Sequence, residues 1–221
     1  AARRADVASR DVRERVSQDA VDPDGRILNR TFVSCFSVQA LSTLAQYALL
    51  LLTPIILAAR GWASGSIGLV LSALTVGMIV VGPAGGRAGD RYGRRRPIGL
   101  GLLVATSATV GLFVAGSSVA VALLVVALAV FGLGLGAATP NLMLSALESV
   151  PMARTGSAAG VLSTSRYVGS LTTSLVVASV VTADAGGTQG VLALSSVAMG
   201  GAVIVASRLP ATSAAAGPRA P

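Results

Sequence analysis

The chain has 221 residues, 53% of them hydrophobic and only 12% charged, against about 25% charged in ordinary soluble domains. With a mean hydropathy of +0.76 it reads as a polytopic membrane protein. The single Cys35 excludes an intrachain disulfide and any multi-cysteine metal site, and the absence of His excludes His-dependent zinc sites and Ser-His or Cys-His catalysis. All 17 basic residues are Arg, which makes the net charge +8. Without Lys there is no Walker-type phosphate loop, so this chain alone drives no transport with ATP.

Residues 1–30 mix arginines with acids around a turn at Asp22-Pro23-Asp24-Gly25 and show no apolar stripe. They read as a polar cytoplasmic linker with no signal-peptide core. Because the chain starts at Ala1 and not Met, it is expected to continue upstream in the intact gene product. Six apolar runs follow, about 31–59, 66–86, 97–115, 118–145, 157–182 and 188–207. Each is near the roughly 20 residues that carry a helix across a hydrocarbon core of about 30 Å. Residues 31–209 are therefore expected to form a six-span bundle, and residues 210–221, rich in Ala, Ser, Gly and Pro, a disordered cytoplasmic tail. The short connections force neighbouring spans antiparallel. Ser66 is placed as an N-cap, Pro97 opens the third span, and Gly186-Gly187 separates the last two. Pro54, Pro83 and Pro140 fall inside or at the ends of spans, where neighbouring helices can re-satisfy the freed backbone groups.

The first span carries Gln39, Ser42, Thr43, Gln46 and Thr53 at spacings that return to one helical face, with Tyr47 beside it. Such groups in lipid need internal partners or water, so they form a cavity wall or polar glue between helices. Between the second and third spans stands Gly86-Arg87-Ala88-Gly89-Asp90-Arg91-Tyr92-Gly93-Arg94-Arg95-Arg96, a dense run of charge at the mouth of a hydrophobic hairpin. With the N-terminus inside, every arginine except Arg60 and Arg166 falls on the cytoplasmic side, which is a strong positive-inside bias. That distribution argues against nucleic acid as a partner. In the fourth span Gly132-Leu133-Gly134-Leu135-Gly136 reads as close helix packing, as do Gly156 and Gly160 in the fifth; Asn141 and Ser145 add polar groups. Arg166 lies well inside the fifth span, at a cost of about 2.5 to 3.5 kcal/mol near the bilayer centre. It shares a stripe with Ser163, Tyr167, Ser170 and Ser174, so it lines a cavity, snorkels or pairs with Glu148. No Asp or Glu lies near the middle of any span, so no proton-carrying carboxylate is evident in this chain.

The pattern Gly-x-x-x-Asp-Arg-x-Gly-Arg-Arg, carried by Gly86, Asp90, Arg91, Gly93, Arg94 and Arg95, resembles the signature loop of the major facilitator superfamily of secondary transporters. The resemblance runs from about Ile27 to Leu209. It implies an all-α membrane protein: a six-transmembrane-helix bundle that forms one half of a major facilitator fold, built from two inverted three-helix repeats. It also implies that the loop acts as a conformational latch between halves. The segment from Gly132 through Pro140-Asn141, Pro151, Gly156, Ala159-Gly160, Arg166 and Gly169 is similar to the second half of the fourteen-helix multidrug:proton antiporters. On that resemblance the chain is the C-terminal half of a proton-coupled exporter of drugs or amphiphilic small molecules. It would work by alternating access in the plasma or inner membrane, with both termini cytoplasmic. Gln39, Thr43, Gln46, Tyr47, Asn141, Arg166 and Tyr167 are the candidate cavity lining. The partners would be the lipid bilayer, a missing N-terminal half of six or eight spans (same polypeptide or second copy), a small-molecule substrate and protons. No cofactor, metal or enzymatic activity is expected. The alternatives are a transporter of a metabolite such as a sugar or organic acid, and a truncated membrane protein that does not transport.

Overall fold

A computed structural model of the chain describes residues 29–116, 119–181 and 187–209; nearly all of the expected linker and the whole expected tail lie outside the described residues. Among these the chain forms α1 (Arg30–Ala59), α2 (Ser64–Tyr92), α3 (Arg95–Ala115), α4 (Val121–Glu148), a 3-10 turn (Met152–Arg154), α5 (Thr155–Val181) and α6 (Gly187–Ser207), with no strand. Five of these helices are long and apolar enough to cross a membrane. The one below that mark is α5: its 27 residues are ample in length, but Ser, Thr, Gly and Arg166 dilute its hydropathy.

Local chemistry sets the ends. The side chain of Asn29 accepts from the Phe32 N–H at 2.9 Å and caps α1. The start of α2 corrects the expected N-cap at Ser66: the Ile67 N–H already bonds to the Ala63 carbonyl, so the helix begins one turn earlier and Ser66 lies within it. Its other end overshoots the apolar run as well. With 29 residues α2 is longer than a hydrocarbon core requires, and its charged last turns continue the helix up to Gly93. There φ is +82°, a conformation open to glycine, and the chain reverses into α3. Asp90 and Arg91 thus belong to a helix end and not to a free loop.

Consecutive helices within the first three, and within the last three, touch lightly, and the main contacts cross between these two sets. Both α2 and α3 pack on α4, both α5 and α6 pack on α1, and α3 meets α6. Exchanging α1, α2, α3 for α4, α5, α6 maps this set of contacts onto itself. Phe32, Leu52, Leu74, Leu102, Leu128, Phe131 and Met199 fill the centre, while Leu69, Ile79, Leu100, Leu175 and Val197 face outward. Apolar burial alone does not hold helices together when lipid is the solvent; close backbone approach does. The α2–α4 seam supplies it. A Cβ on Gly136 would stand 2.6 Å from the Met78 carbonyl oxygen, one on Gly77 2.5 Å from that of Ala129, and one on Gly85 2.6 Å from the Ala137 Cα. Gly132 meets Leu74 in the same way, and Gly134 meets Gly101 of α3.

Candidate functional site

Two features carry the chemistry: the basic turn between α2 and α3, and a polar face shared by α1 and α5. At the turn, Arg94 Nη2 donates to Glu148 Oε1 at 2.5 Å and Arg95 Nη2 donates to the Ser207 carbonyl at 2.5 Å. Asn29 Nδ2 donates to the Ser149 carbonyl at 2.6 Å. The starts of α1 and α3 are therefore tied to the ends of α4 and α6, all at one end of the bundle. The Arg91 guanidinium sits 5.5 Å from the centre of the Tyr92 ring, within reach of a cation–π contact. Arg94, expected to reach outside this half, thus spends one guanidinium nitrogen on its own bundle. Asp90 does the opposite. It is exposed one turn beyond Gly86 on the same helical face and has no hydrogen bond or ion pair among the described residues.

The expected alternative pairing of Arg166 with Glu148 is overturned, since Glu148 is bound to Arg94. The reason is distance along the helix. Arg166 stands eleven residues into α5, about 16 Å from its start at 1.5 Å per residue, whereas Glu148 closes α4 beside the basic turn.

Tyr47 of α1 and Ser163, Arg166, Tyr167 and Ser170 of α5 line an open depression of about 240 Å³. Arg166 is exposed there with no hydrogen bond or ion pair among the described residues. The remaining candidate wall residues do not join it. Gln39 and Thr43 are buried, with Gln39 Nε2 donating to Thr43 Oγ1 at 3.2 Å. Their helix turn is pressed by α5, where Gly169 fits against Ala40 and Thr43 and Thr173 Oγ1 donates to the Leu44 carbonyl at 3.0 Å. Gln46 is half-buried, with Nε2 3.8 Å from Met78 Sδ. Asn141 is buried and its Nδ2 bridges Gly85 O at 2.8 Å and Ala137 O at 2.9 Å, which makes it glue in the α2–α4 seam. Gly132 and Gly136 lie in that seam, but Gly156 and Gly160 do not pack as expected: a Cβ on either meets nothing within 4 Å among the described residues. They extend the open face of α5 that carries Ser163 and Tyr167.

Reasoning from the sequence missed the Asn29 cap, the Arg95–Ser207 tie and the recess that Gly89 makes for Asn141. Of these the first and the last left a signal: an Asn just ahead of the first apolar run, and the four-residue spacing of Gly85 and Gly89 on a face shared with Gly77.

A bundle of long apolar helices, sewn by glycine contacts and leaving one polar face with an unpaired arginine open, is a multi-pass membrane protein. The chain belongs to the major facilitator superfamily, a family of membrane transporters: the model of that family, described as Major Facilitator Superfamily, matches residues 35–220. The chain is similar to a protein of Bacillus subtilis (strain 168) named as an uncharacterized MFS-type transporter, YvkA, with 26% identity over 166 residues. The match takes in 75% of this chain, which spans 37% of that relative's length. Family membership points to transport and not to catalysis.

Proposed function

We propose that this chain is the C-terminal half of a secondary transporter that moves a small molecule by alternating access, with the face of α1 and α5 forming one wall of the path. The observation that carries the reading is the exposed Arg166 between Tyr47 and Tyr167. A guanidinium at that depth must face protein or water and not lipid, so the face calls for a covering partner with a polar cavity between the two. The exchange symmetry of the helix contacts and the shortness of the chain against its relative support a missing half. The uncommitted Asp90 supports the latch, because it is an exposed acceptor on a helix end that finds no donor among the described residues. On this reading the N-terminus, the basic turn and the C-terminus lie in the cytoplasm, and α5 spans the membrane with the other five helices despite its polarity.

The resemblance of the Gly132 to Gly169 segment to multidrug:proton antiporters supports proton-coupled efflux of drugs or other amphiphilic small molecules from the cell. The coupling carboxylate then belongs to the other half, since no Asp or Glu lies mid-span here. A second reading, transport of an organic acid, is favoured by Arg166, the charged group of the depression. Reconstituting the full-length product in proteoliposomes under an imposed pH gradient tests both. The first expects gradient-dependent movement of an amphiphilic dye, the second movement of a labelled organic acid. A hydrogen bond to a charged group contributes about 1.5 to 3 kcal/mol, so Arg166→Ala should slow the transported substrate by roughly tenfold or more while leaving expression intact. Lost expression with normal residual turnover would make Arg166 structural and refute the wall.

A further inference from the structure

A second recess lies away from the face of α1 and α5. Both α2 and α3 press on α4 but hardly on one another, so above their shared turn they leave a groove. It has a volume of about 430 Å³, is walled by Ala84 and Ala88 of α2 and Leu100 of α3, and is floored by Ala137 of α4. No large side chain fills it, because the close approach of Gly85 to Ala137 keeps the floor small and flat. At about 30 Å³ per water-sized group the space holds roughly a dozen such groups, volume enough for a stretch of acyl chain.

The mouth of this apolar groove is cationic. Tyr92 and Arg96 border it, Arg91 stacks near the Tyr92 ring, and Arg96 is exposed with no hydrogen bond or ion pair among the described residues. Beside Arg96, the first turn of α3 has no side-chain cap and no acid. Glu148 meets Arg94 at this end, but the Arg95 and Arg96 N–H groups, just ahead of Pro97, which has none, find no acceptor among the described residues and stand beside like-charged arginines, a combination that an anion would relieve. Among the described residues no carboxylate lines the groove. Asp90 points elsewhere: Ala84, Ala88 and Tyr92 repeat every four residues, and Asp90, two residues on from Ala88, is rotated by about 200° from that row.

We propose that this groove binds one anionic phospholipid, with an acyl chain lying over Ala137 between α2 and α3 and the phosphate held by Arg96 and the first turn of α3. Basic pockets between helices on the cytoplasmic side suit such headgroups, and each arginine near a membrane surface adds to the attraction for anionic lipid. The site rests on the cytoplasmic placement of the basic turn given above, and not on any transport by the α1–α5 face. It gives the turn a ligand of its own on the side opposite Asp90.

The test uses the purified chain in mild detergent with equimolar dioleoyl phosphatidylglycerol and dioleoyl phosphatidylcholine, and reads retained lipid by native mass spectrometry. Phosphatidylglycerol should be retained over phosphatidylcholine by about fivefold, and Arg96→Gln should bring the two within about twofold while Arg96→Lys keeps the preference. Ala84→Leu, which fills the groove from an exposed position, should lower retention of both lipids with an unchanged helical circular dichroism spectrum. Equal retention by the unmodified chain, or a preference that survives Arg96→Gln, would overturn the site. So would Ala84→Leu leaving retention unaltered. Displacement of the lipid by inorganic phosphate alone would show an anion site in which the groove has no part, and would overturn it equally. None of these readouts depends on transport, so the lipid site and the transporter reading fail separately.

Discussion

The α2–α4 seam makes a quantitative prediction through Gly136→Ala. The new methyl would lie 2.6 Å from the Met78 carbonyl oxygen and 2.9 Å from its Cα. Both obstacles are backbone atoms, so no side-chain rotation can relieve the overlap. To restore ordinary contact the two helices must part by roughly 1 Å, which loosens the neighbouring contacts of Gly77 with Ala129 and Gly85 with Ala137 and stretches the Asn141 bridge. Overpacking of this kind costs about 1 to 3 kcal/mol. Alanine also raises helix propensity by about 1 kcal/mol, so a single variant would mix two effects of opposite sign. Gly160→Ala, inside α5, separates them: it gains the same propensity but its methyl meets nothing within 4 Å. The difference between the two variants is therefore the clash alone. For a chain of this size about 1 kcal/mol corresponds to roughly 2 to 4 °C in Tm, so Gly136→Ala should melt roughly 2 to 12 °C below Gly160→Ala when helical ellipticity is followed in detergent. Equal melting temperatures would refute the seam as the contact that holds α2 to α4.

Further outcomes follow from other residues. Asp90→Asn should leave insertion and folding intact but impair transport by the full-length product, measured in proteoliposomes; unchanged transport would remove the latch. Cys35 is fully buried, so a maleimide should label it only after denaturation, and rapid labelling of the folded chain would contradict the packing of α1. Asn29→Ala removes both the cap of α1 and the donor to Ser149 and should cost about 1 kcal/mol in a thermal melt, with Asn29→Asp recovering the cap but not the tie. Glu148→Gln should lower stability by less than about 1 kcal/mol, since its ion pair with Arg94 is partly exposed and such pairs are weak; a larger loss would mean that the pair is a principal clamp at this end.

The helices were legible because the bilayer imposes a length and an apolar composition on each of them. Their boundaries erred where charge was read as loop, as in α2: a helix that has left the hydrocarbon can carry Arg87, Asp90 and Arg91 without penalty, so the end is set by Gly93 and not by the first charge. The candidate wall was legible only in part, and α1 shows why. Gln39 and Tyr47 lie on overlapping sides of one apolar helix, yet Gln39 is buried and Tyr47 borders the depression. In water a polar residue marks the outside of a helix, but in lipid it marks only a side that is not facing lipid. That side can be a cavity or a neighbour, and which one it is depends on a helix distant in sequence. Here α5 decides, placing Gly169 and Thr173 against Ala40 to Leu44 while leaving Ser163, Arg166, Tyr167 and Ser170 to line the depression.

The same interleaving explains why the chemistry gathers where it does. Since α2 and α3 lean on α4 and not on each other, their turn is not a self-contained hairpin, and its arginines reach the ends of α4 and α6 through Glu148 and Ser207. Movement of α3 relative to α4 and α6 would have to stretch the Arg94 and Arg95 ties, and α2 is joined to that end of α3 through Gly93. Asp90 on one side of α2 and the groove at Arg96 on the other are thus attached to the same lever. A partner that grips Asp90 and a lipid that fills the groove would act on one helix from opposite faces. If so, loading phosphatidylglycerol should change the rate at which a spin label on α2 alternates between environments in the full-length product. Arg96→Gln should abolish that response and leave the basal rate in phosphatidylcholine unchanged. A response that persists in Arg96→Gln would mean that lipid acts elsewhere on the bundle.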